Sequence, residues 1–150
     1  MKYSTEIAIA LPRRQLLDKL DKPENMKHWQ RGLTRYKQLS GKGGQEGDKM
    51  ELHYAMGKRN MVLIETIIKR NLPDEFHVTY DAKGVHNIQK NYFRELDDNN
   101  TLWVAESEFE FSGFFMKLMA FLMPGAFKKQ SRKYAEDFKA FAEKGISVAS

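Results

Sequence analysis

The sequence predicts an α+β fold in which one curved antiparallel sheet is closed by a long helix near the C-terminus. The segment from Leu33 to Phe111 has β-type sequence divided by short turns. The stretch from Gly113 to Gly145 then runs from largely apolar residues through Pro124-Gly125 into a basic amphipathic helix. The 150 residues correspond to a single domain, residues 1–150. A helix closed over a curved sheet encloses a cavity, so the sequence suggests a container.

The composition restricts the chemistry and the compartment. The chain has no cysteine, which excludes disulfides, zinc-thiolate sites and cysteine nucleophiles and fits a reducing compartment. The start, Met1 to Ile7, alternates polar and apolar residues like a strand, where a signal peptide would be continuously apolar. The apolar run Phe114 to Phe127 contains Lys117 and Pro124 and is shorter than the roughly 20 residues of a membrane span. We therefore expect a cytoplasmic protein.

The charge distribution argues against nucleic-acid binding. The net charge is +5, but the 25 basic residues are mixed along the chain with 20 acidic ones. One local cluster stands out at the start of the last helix, formed by Lys128, Lys129, Arg132 and Lys133. It either makes peripheral contact with anionic lipid or forms the solvated face of a helix.

Two short helices are predicted between the first and second strands. Pro12 can begin a helix without losing a hydrogen bond, and Arg13 to Leu20 carries three leucines on one face. The segment Asp21 to Glu24 ends this helix, and Pro23 within it opens a second one that runs through Trp29.

Six strands follow, and their short connections predict antiparallel hairpins. The turns are Gly41-Lys42-Gly43-Gly44, Gly57-Lys58, Asn71-Leu72-Pro73-Asp74, Lys83-Gly84 and Asp98-Asn99-Asn100. The lengths of these turns determine which residues face each other, and facing residues lie on the same side of a sheet.

Each turn predicts one part of the pairing. A two-residue turn at Lys83-Gly84 pairs Tyr80 with Asn87, and a four-residue loop at 71–74 pairs Glu65 with Tyr80. A three-residue loop at 98–100 sets Asn87 opposite Phe111. The turn at Gly57 puts alternate residues of 50–56 and 61–67 on the same face.

One face emerges as the inner face, because it is rich in aromatic residues and methionine. Its apolar and aromatic members are Met50, Leu52, Tyr54, Met56, Met61, Leu63, Ile67, Phe76, Val78, Tyr80, Phe93, Trp103, Phe109 and Phe111. The same face also carries the polar residues Glu65, Asn87, Gln89, Asn91 and Ser107. Polar groups in a packed core cost several kcal/mol unless they are hydrogen-bonded, so we expect water or a ligand there.

The order of elements and several short motifs resemble a known superfamily across essentially the whole chain. The motifs are Pro23-Glu24-Asn25-Met26 with Trp29, Gly84-Val85 at the start of the sixth strand, and Phe114 to Phe127 before the basic helix. They resemble the START-like (SRPBCC) superfamily, in its bacterial polyketide cyclase/dehydrase-like branch. The resemblance implies the helix-grip fold, a seven-stranded curved antiparallel sheet wrapped on a long C-terminal helix. The superfamily includes enzymes, lipid carriers and receptors, so it implies no single activity.

Glu65, Tyr80 and Asn87 form one row across three adjacent strands of the inner face. Burial among apolar side chains would raise the pKa of Glu65, as a general acid or base near neutral pH requires. The row then has two interpretations. Glu65 is the catalytic residue and its two neighbours orient a substrate carbonyl, or the neighbours only satisfy the hydrogen bonds of a buried glutamate.

The predicted ligand pocket combines this row with the surrounding inner face and the C-terminal segment. Its residues are Tyr54, Leu63, Glu65, Tyr80, Asn87, Gln89, Asn91, Trp103, Ser107, Phe109, Phe115, Met119, Met123 and Phe127. Methionine adapts to irregular ligands, although ordinary core packing would use it in the same way. Pro124-Gly125 is expected to break the helix and leave Phe114 to Met123 as a separate flap.

No metal site or cofactor is predicted. His53, His77 and His86 are placed on the outer face as surface imidazoles, and no acidic cluster has the spacing of metal ligands. The glycine-rich segment Gly41 to Gly47 lacks the ending of a phosphate-binding loop and is predicted to be a mobile hairpin loop that gates the pocket.

Three hypotheses of function remain at this point. The first is binding or transport of a small hydrophobic or amphipathic molecule, such as a lipid, polyketide-like or isoprenoid compound, between the sheet and the C-terminal helix. The second is a cofactor-independent cyclase or dehydratase with Glu65 as the acid/base. The third is a docking module for a membrane surface or a protein. The oligomeric state is left open.

Overall fold

The computed structural model describes residues 1–149 of the chain, apart from the side chain of Phe115. The strands are β1 (Lys2–Ile9), β2 (Leu33–Ser40), β3 (Lys49–Met56), β4 (Arg59–Asn71), β5 (Glu75–Ala82), β6 (Val85–Asp97) and β7 (Asn100–Phe111). The helices are α1 (Arg13–Leu20), a 3₁₀ turn (Pro23–Asn25), α2 (Met26–Trp29), α3 (Phe114–Leu122) and α4 (Pro124–Lys144). Among the described residues, no helix combines the length and apolar character needed to cross a membrane.

The seven strands form one antiparallel sheet, as the sequence predicts. Their order is β1-β7-β6-β5-β4-β3-β2, so every strand from β2 to β7 lies beside the next one in the chain. β1 and β2 lie at opposite edges. The connection between them must therefore cross the sheet, and this is where α1, the 3₁₀ turn and α2 lie.

Three of the four predicted hairpin pairings that define the inner face are confirmed. Tyr80 faces Asn87 across β5 and β6, and Glu65 faces Tyr80 across β4 and β5. Across the turn at Gly57, Leu52 faces Leu63. The predicted separation into an inner and an outer face therefore describes the sheet.

The pairing of β6 with β7 was predicted wrongly by two residues. Asn87 faces Phe109 instead of Phe111, because Asp97 pairs with Asn100 across a two-residue turn and a register shift follows next to Asp97. The Asp97 carboxylate tightens this turn by accepting hydrogen bonds from the Asn99 backbone N–H (2.8 Å) and the Asn100 side-chain amide (2.9 Å). A shift of two residues leaves every side chain on its predicted face.

The loop between β4 and β5 was also predicted one residue too long. Asn71 pairs with Glu75, which leaves three residues in the loop, and a register shift at Ile68 restores the predicted pairing of Ile67 with Val78. The bulge thus compensates for the shorter loop, and the register at Glu65 comes out as predicted.

His77 is a further correction, because it is not a surface imidazole. His77 is only 6% exposed. The backbone N–H of Asn91 donates to its Nδ1 (3.1 Å), its Nε2 lies 2.9 Å from the Glu75 carboxylate, and the Tyr92 ring packs edge-on against it at 5.1 Å. His77 therefore belongs to a buried structural contact on the outer side of the sheet.

The core forms where the middle of α4 rests on the sheet. Phe138 of α4 is completely buried. Its ring meets Trp29 at 5.2 Å and Trp103 at 5.4 Å, both edge-on, and Trp103 in turn stacks on Phe93 at 6.3 Å. Aromatic rings from α2, α4, β6 and β7 thus fill the centre of the inner face.

The predicted break in the C-terminal segment is confirmed. α3 ends at Leu122, and α4 begins at Pro124, which occupies the first helical turn where its missing N–H costs nothing. α3 packs on the turn between β5 and β6 through Met116. A Cβ atom on Gly84 would lie 2.9 Å from Cγ of Met116, so this close approach depends on a glycine that also has a φ of +79°.

Candidate functional site

A cavity of about 110 Å³ lies between the sheet and the short helices. Its floor is formed by inner-face residues of β3 to β7, and its roof by α1, the 3₁₀ turn, α2 and the adjoining residues Asp21 and Gln30. The sequence predicted a cavity under the C-terminal helix, whereas this cavity lies under the short helices. Among the described residues, none of α3 or α4 lines the cavity.

The space under α4 is filled by aromatic side chains. Beside the central cluster around Phe138, a second cluster lies near the start of α4. Phe109 stacks on Tyr3 at 6.0 Å and on Phe111 at 5.8 Å, and Phe127 contacts Phe109 at 5.0 Å and Phe111 at 5.4 Å. Phe109 and Phe127, both predicted to contact a ligand, therefore pack against each other outside the cavity.

Glu65 and Tyr80 are the polar pair of the cavity. They face each other on β4 and β5, and both line the cavity. Burial raises the pKa of Glu65, and a hydrogen bond from Tyr80 opposes this rise. Burial, with the neighbouring Glu65 charge, also holds the pKa of Tyr80 well above its usual value. Tyr80 is therefore a neutral phenol that can donate a hydrogen bond.

This pair can do two things chemically. A glutamate with a raised pKa exchanges a proton nearer to neutral pH than a solvated glutamate does. In its protonated form it can also donate a hydrogen bond to an oxygen of a ligand, while the Tyr80 hydroxyl donates to Glu65. Either use requires a reacting or recognised atom inside the cavity.

Asn91 has protein partners for its side-chain amide and therefore helps to build the cavity. Its Oδ1 accepts hydrogen bonds from Trp103 Nε1 (3.0 Å) and Gln89 Nε2 (3.1 Å), and its Nδ2 donates to the Phe76 carbonyl (3.0 Å). All four residues line the cavity. The network gives the buried Trp103 N–H an acceptor and orients the Gln89 amide.

Asn87 and Ser107 lie away from the cavity. Asn87 is 6% exposed and donates to the Glu108 carbonyl (3.1 Å). Ser107 is 4% exposed and hydrogen-bonds with Tyr3, which lowers the pKa of that tyrosine against the larger effect of its burial. The predicted row of three thus becomes a pair, since Asn87 hydrogen-bonds to the neighbouring strand.

Tyr54 is also a structural neighbour of the cavity. Its hydroxyl donates to Gln30 Oε1 at 2.5 Å, and both side chains are buried. Desolvation raises the pKa of Tyr54 well above its usual value, with a smaller contribution from Glu65. The bond joins β3 to the residue after α2, so it holds the roof of the cavity on the sheet.

The other predicted ligand residues are spread over the fold. Leu63 packs with Tyr54 in a small apolar cluster, and Met119 is half-buried on α3. Met123, where α3 gives way to α4, is 50% exposed. The side chain of Phe115 lies outside the described residues.

The residues at the mouth of the cavity are not among those predicted from the sequence. Asp21 and Gly44 lie on its lining, and Arg70 donates to the two carboxylate oxygens of Asp21 at 2.9 and 2.6 Å. The Arg70 guanidinium also lies 5.7 Å from the centre of the Phe76 ring, a cation–π contact. The roof and the mouth could have been predicted from the segment between β1 and β2. If these strands lie at opposite edges, the segment must cross the inner face of the sheet.

The glycine-rich loop at the mouth is held by hydrogen bonds. The Asp48 carboxylate accepts from the backbone N–H groups of Gly43 (2.9 Å) and Gln45 (3.1 Å), and the Glu46 carboxylate accepts from that of Arg70 (3.0 Å). These contacts fasten the loop to β4 next to the ion pair. Its predicted role as a gate stays a prediction.

Within residues 1–149, no group of three histidine, aspartate or glutamate side chains is placed to hold a metal ion. His53 lies 2.5 Å from Glu51, and His86 pairs with Asp81. These are cross-strand or next-neighbour contacts on the outer face.

No protein-family model and no curated protein sequence matches the chain significantly. Solved structures match it over nearly its full length at low sequence identity. A conserved protein from Geobacillus kaustophilus has a TM-score of 0.78 and 12% identity, with 95% of each chain covered. The ZhuI aromatase/cyclase from Streptomyces sp. R1128 has a TM-score of 0.73 and 10% identity, with 97% of each chain covered.

A third structure is norcoclaurine synthase from Thalictrum flavum in complex with dopamine and hydroxybenzaldehyde. Its TM-score is 0.70 at 10% identity, and the match covers 94% of this chain and 85% of that one. This chain and these structures share the helix-grip fold. The predicted helix-grip fold is therefore confirmed, and identities this low show the fold alone.

Proposed function

We propose that this protein binds a small, largely apolar molecule that carries one hydrogen-bonding oxygen, in the cavity between the sheet and the short helices. The observation that carries the proposal is the pair Glu65 and Tyr80 in a cavity otherwise lined mainly by apolar side chains. Such a cavity with few convergent polar groups and a shifted pKa is typical of small-molecule sites.

The polar pair favours an oxygen-bearing group on the ligand. Tyr80 is neutral, and the raised pKa of Glu65 increases its protonated fraction at a given pH. In the protonated pair Tyr80 can keep its hydrogen bond to Glu65 while the Glu65 acid offers its own hydrogen to a carbonyl or hydroxyl oxygen. Lipid, polyketide-like and isoprenoid compounds all combine such an oxygen with an apolar skeleton.

The size of the cavity requires that it widens when a ligand of that kind enters. Its volume of about 110 Å³ is smaller than the roughly 150 Å³ of an engineered cavity that holds benzene. We expect the roof to move at its polar contacts with the sheet, because Leu16 and Trp29 hold the rest of its helices against the core. These contacts include the Arg70–Asp21 ion pair and the Tyr54–Gln30 hydrogen bond.

Native mass spectrometry tests the proposal directly. The protein is purified and its spectrum under gentle conditions is compared with that under denaturing conditions, so that a co-purified molecule appears as a mass difference. We expect a small molecule in the wild type and a reduced occupancy in Glu65→Gln, which keeps the shape and removes the acid. Glu106→Gln on the outer face is the matched control. A protein that is empty and fails to take up apolar probes would refute the proposal.

A cofactor-independent cyclase or dehydratase is the second candidate, favoured by the raised pKa of Glu65 beside a phenol donor. In this version Glu65 moves a proton and Tyr80 orients a carbonyl. The proteins of similar fold include an aromatase/cyclase and norcoclaurine synthase. Incubation with a poly-β-ketone analogue distinguishes the two candidates. An enzyme converts it and loses turnover in Glu65→Gln, whereas a binding protein returns it unchanged.

A further inference from the structure

The outward face of α3 is apolar and unusually exposed. Phe114 is 83% and Phe121 is 81% exposed, and Leu122 (63%), Met123 (50%) and Leu118 (39%) continue the same surface. We call these five residues the α3 surface. Monomeric soluble proteins rarely expose contiguous apolar patches of large side chains unless the patch binds something.

The other face of α3 already has its contacts within the protein. Met116 packs against Gly84, and Met119 and Ala120 are half-buried. Phe114, Lys117, Leu118 and Phe121 follow the i, i+3, i+4, i+7 spacing of one helical stripe, which points away from these contacts. The helix therefore has an apolar outer stripe with one lysine in it.

The positive charge of the protein is concentrated next to this surface. Residues 114–133 contain five basic side chains, namely Lys117, Lys128, Lys129, Arg132 and Lys133, and no acidic one. The chain has 25 basic and 20 acidic residues, so the other 130 residues are neutral overall and this segment carries the whole net charge of +5. Such localisation is not expected of an ordinary solvated surface.

The lysines of this segment are free to face an anionic partner. All four are exposed, and in the described part of the chain none of them forms an ion pair. Arg132 differs, since it pairs with Glu136 at 3.3 Å. Lys128 lies in the first turns of α4, five residues after Met123, so the cations follow directly after the end of the apolar stripe in the chain.

We propose that the α3 surface docks on an anionic phospholipid bilayer. The apolar side chains would enter the boundary between headgroups and acyl chains, while the flanking lysines contact lipid phosphates, as in interfacial amphipathic helices. A second copy of the chain fits less well, because two segments of charge +5 would repel each other. This inference rests on the surface alone and does not depend on a ligand in the cavity.

Co-sedimentation with vesicles tests the proposal, using phosphatidylcholine with and without phosphatidylserine. We expect binding only with phosphatidylserine, and weaker binding as NaCl rises above about 0.1 M, where the Debye length is about 10 Å. Lys128→Glu with Lys129→Glu should lower the partition coefficient about 30-fold or more, since each cation near the membrane surface contributes about 1 kcal/mol. Lys22→Glu with Lys42→Glu changes the net charge equally and should reduce binding much less.

A second pair of variants tests the apolar part. Phe114→Ser with Phe121→Ser should abolish most vesicle binding, and because both rings are more than 80% exposed the fold should be retained, as circular dichroism would check. Leu39→Ser with Leu96→Ser is the matched control, since these leucines are 44% and 54% exposed elsewhere. Three results would overturn the proposal. They are no binding to phosphatidylserine vesicles, binding that survives the phenylalanine changes, and a dimer in sedimentation that the same changes dissociate.

Discussion

Arg70 and Asp21 form a bidentate ion pair, with N···O distances of 2.9 and 2.6 Å. Asp21 lies between α1 and the 3₁₀ turn, on the lining of the cavity. The pair links the end of β4 to the roof. Its carboxylate is about one-third exposed, so water screens its contribution to stability. From its position we expect this contact to control access to the cavity.

Asp21→Asn should therefore speed the exchange of an apolar probe more than it lowers stability. We expect at most about 1 kcal/mol of lost stability, as for other partly exposed ion pairs. Stopped-flow fluorescence with a naphthalene sulfonate dye measures the entry rate, and urea unfolding measures the stability. Glu108→Gln, which removes the ion pair of Glu108 with Lys2 at the far edge, is the control. If the dye entered the wild type, Asp21→Asn and Glu108→Gln at equal rates, the roof would open at a place other than the Arg70–Asp21 ion pair.

Tyr54→Phe should destabilise the protein, because it leaves the buried Gln30 oxygen without its donor. Loss of one partner of a buried hydrogen bond costs about 1–3 kcal/mol. The free energy of unfolding in urea is the measurement. Tyr36→Phe is the matched change on a side chain that is 44% exposed, and it should have almost no effect. A cost as small for Tyr54 as for Tyr36 would mean that water replaces the phenol at Gln30.

Phe138→Ala should lower the free energy of unfolding by about 3–5 kcal/mol, the usual cost of truncating a buried aromatic residue. It should also open new apolar space beneath α4, which the wild type fills. Phe121→Ala, at 81% exposure, should change stability by less than about 0.5 kcal/mol. Thermal unfolding with and without benzene is the measurement. Benzene should stabilise the Phe138 variant more than the Phe121 variant, because only the former has the new space beneath α4, and equal stabilisation of both variants would contradict this account of the core.

The raised pKa of Glu65 predicts a specific dependence of stability on pH. The folded protein holds this proton at higher pH than the unfolded chain, whose glutamate pKa is about 4.3. Stability should therefore fall as pH rises from about 4.3 through the folded pKa of Glu65. Glu65→Gln should lack this component, so subtracting the two stability curves isolates it. If the stability of the wild type relative to Glu65→Gln instead rose with pH, the fold would stabilise the charged form of Glu65 over the protonated one.

Gly84→Ala should loosen α3, because the added Cβ would lie 2.9 Å from Met116 Cγ at a φ of +79°. Gly57→Ala is the control, since Gly57 also has a positive φ (+62°) but nothing lies within 4 Å of its Cβ position. In both variants an alanine at positive φ costs about 1 kcal/mol or more. The difference between their free energies of unfolding therefore measures the contact with α3. Limited proteolysis should cut Gly84→Ala faster within α3. Identical digestion of the two variants would show that Met116 shifts without moving the helix.

The sequence alone determined the sheet and its faces, the short helices and the break at Pro124. These features depend on local rules, namely the two-residue period of strands, the parity of turn lengths and the restricted backbone of proline. Even where the turn at Asp98 was one residue shorter than predicted, a compensating bulge kept the side chains of Asn87 and Gln89 on their face. Errors of register by an even number of residues leave the inner face intact.

Only the tertiary structure decided where the open space lies and which polar residues face it. Phe138, Trp29 and Trp103 are distant in the chain, and whether their rings fill the centre depends on how α2 and α4 sit on the sheet. Asn87 and Glu65 occupy the same row of the sheet. The Asn87 side-chain amide donates a hydrogen bond to the Glu108 carbonyl, whereas Glu65 faces the cavity. Strand alternation shows only which side of the sheet a residue is on. Its neighbours across the interior are set by packing between remote segments, which no local pattern encodes.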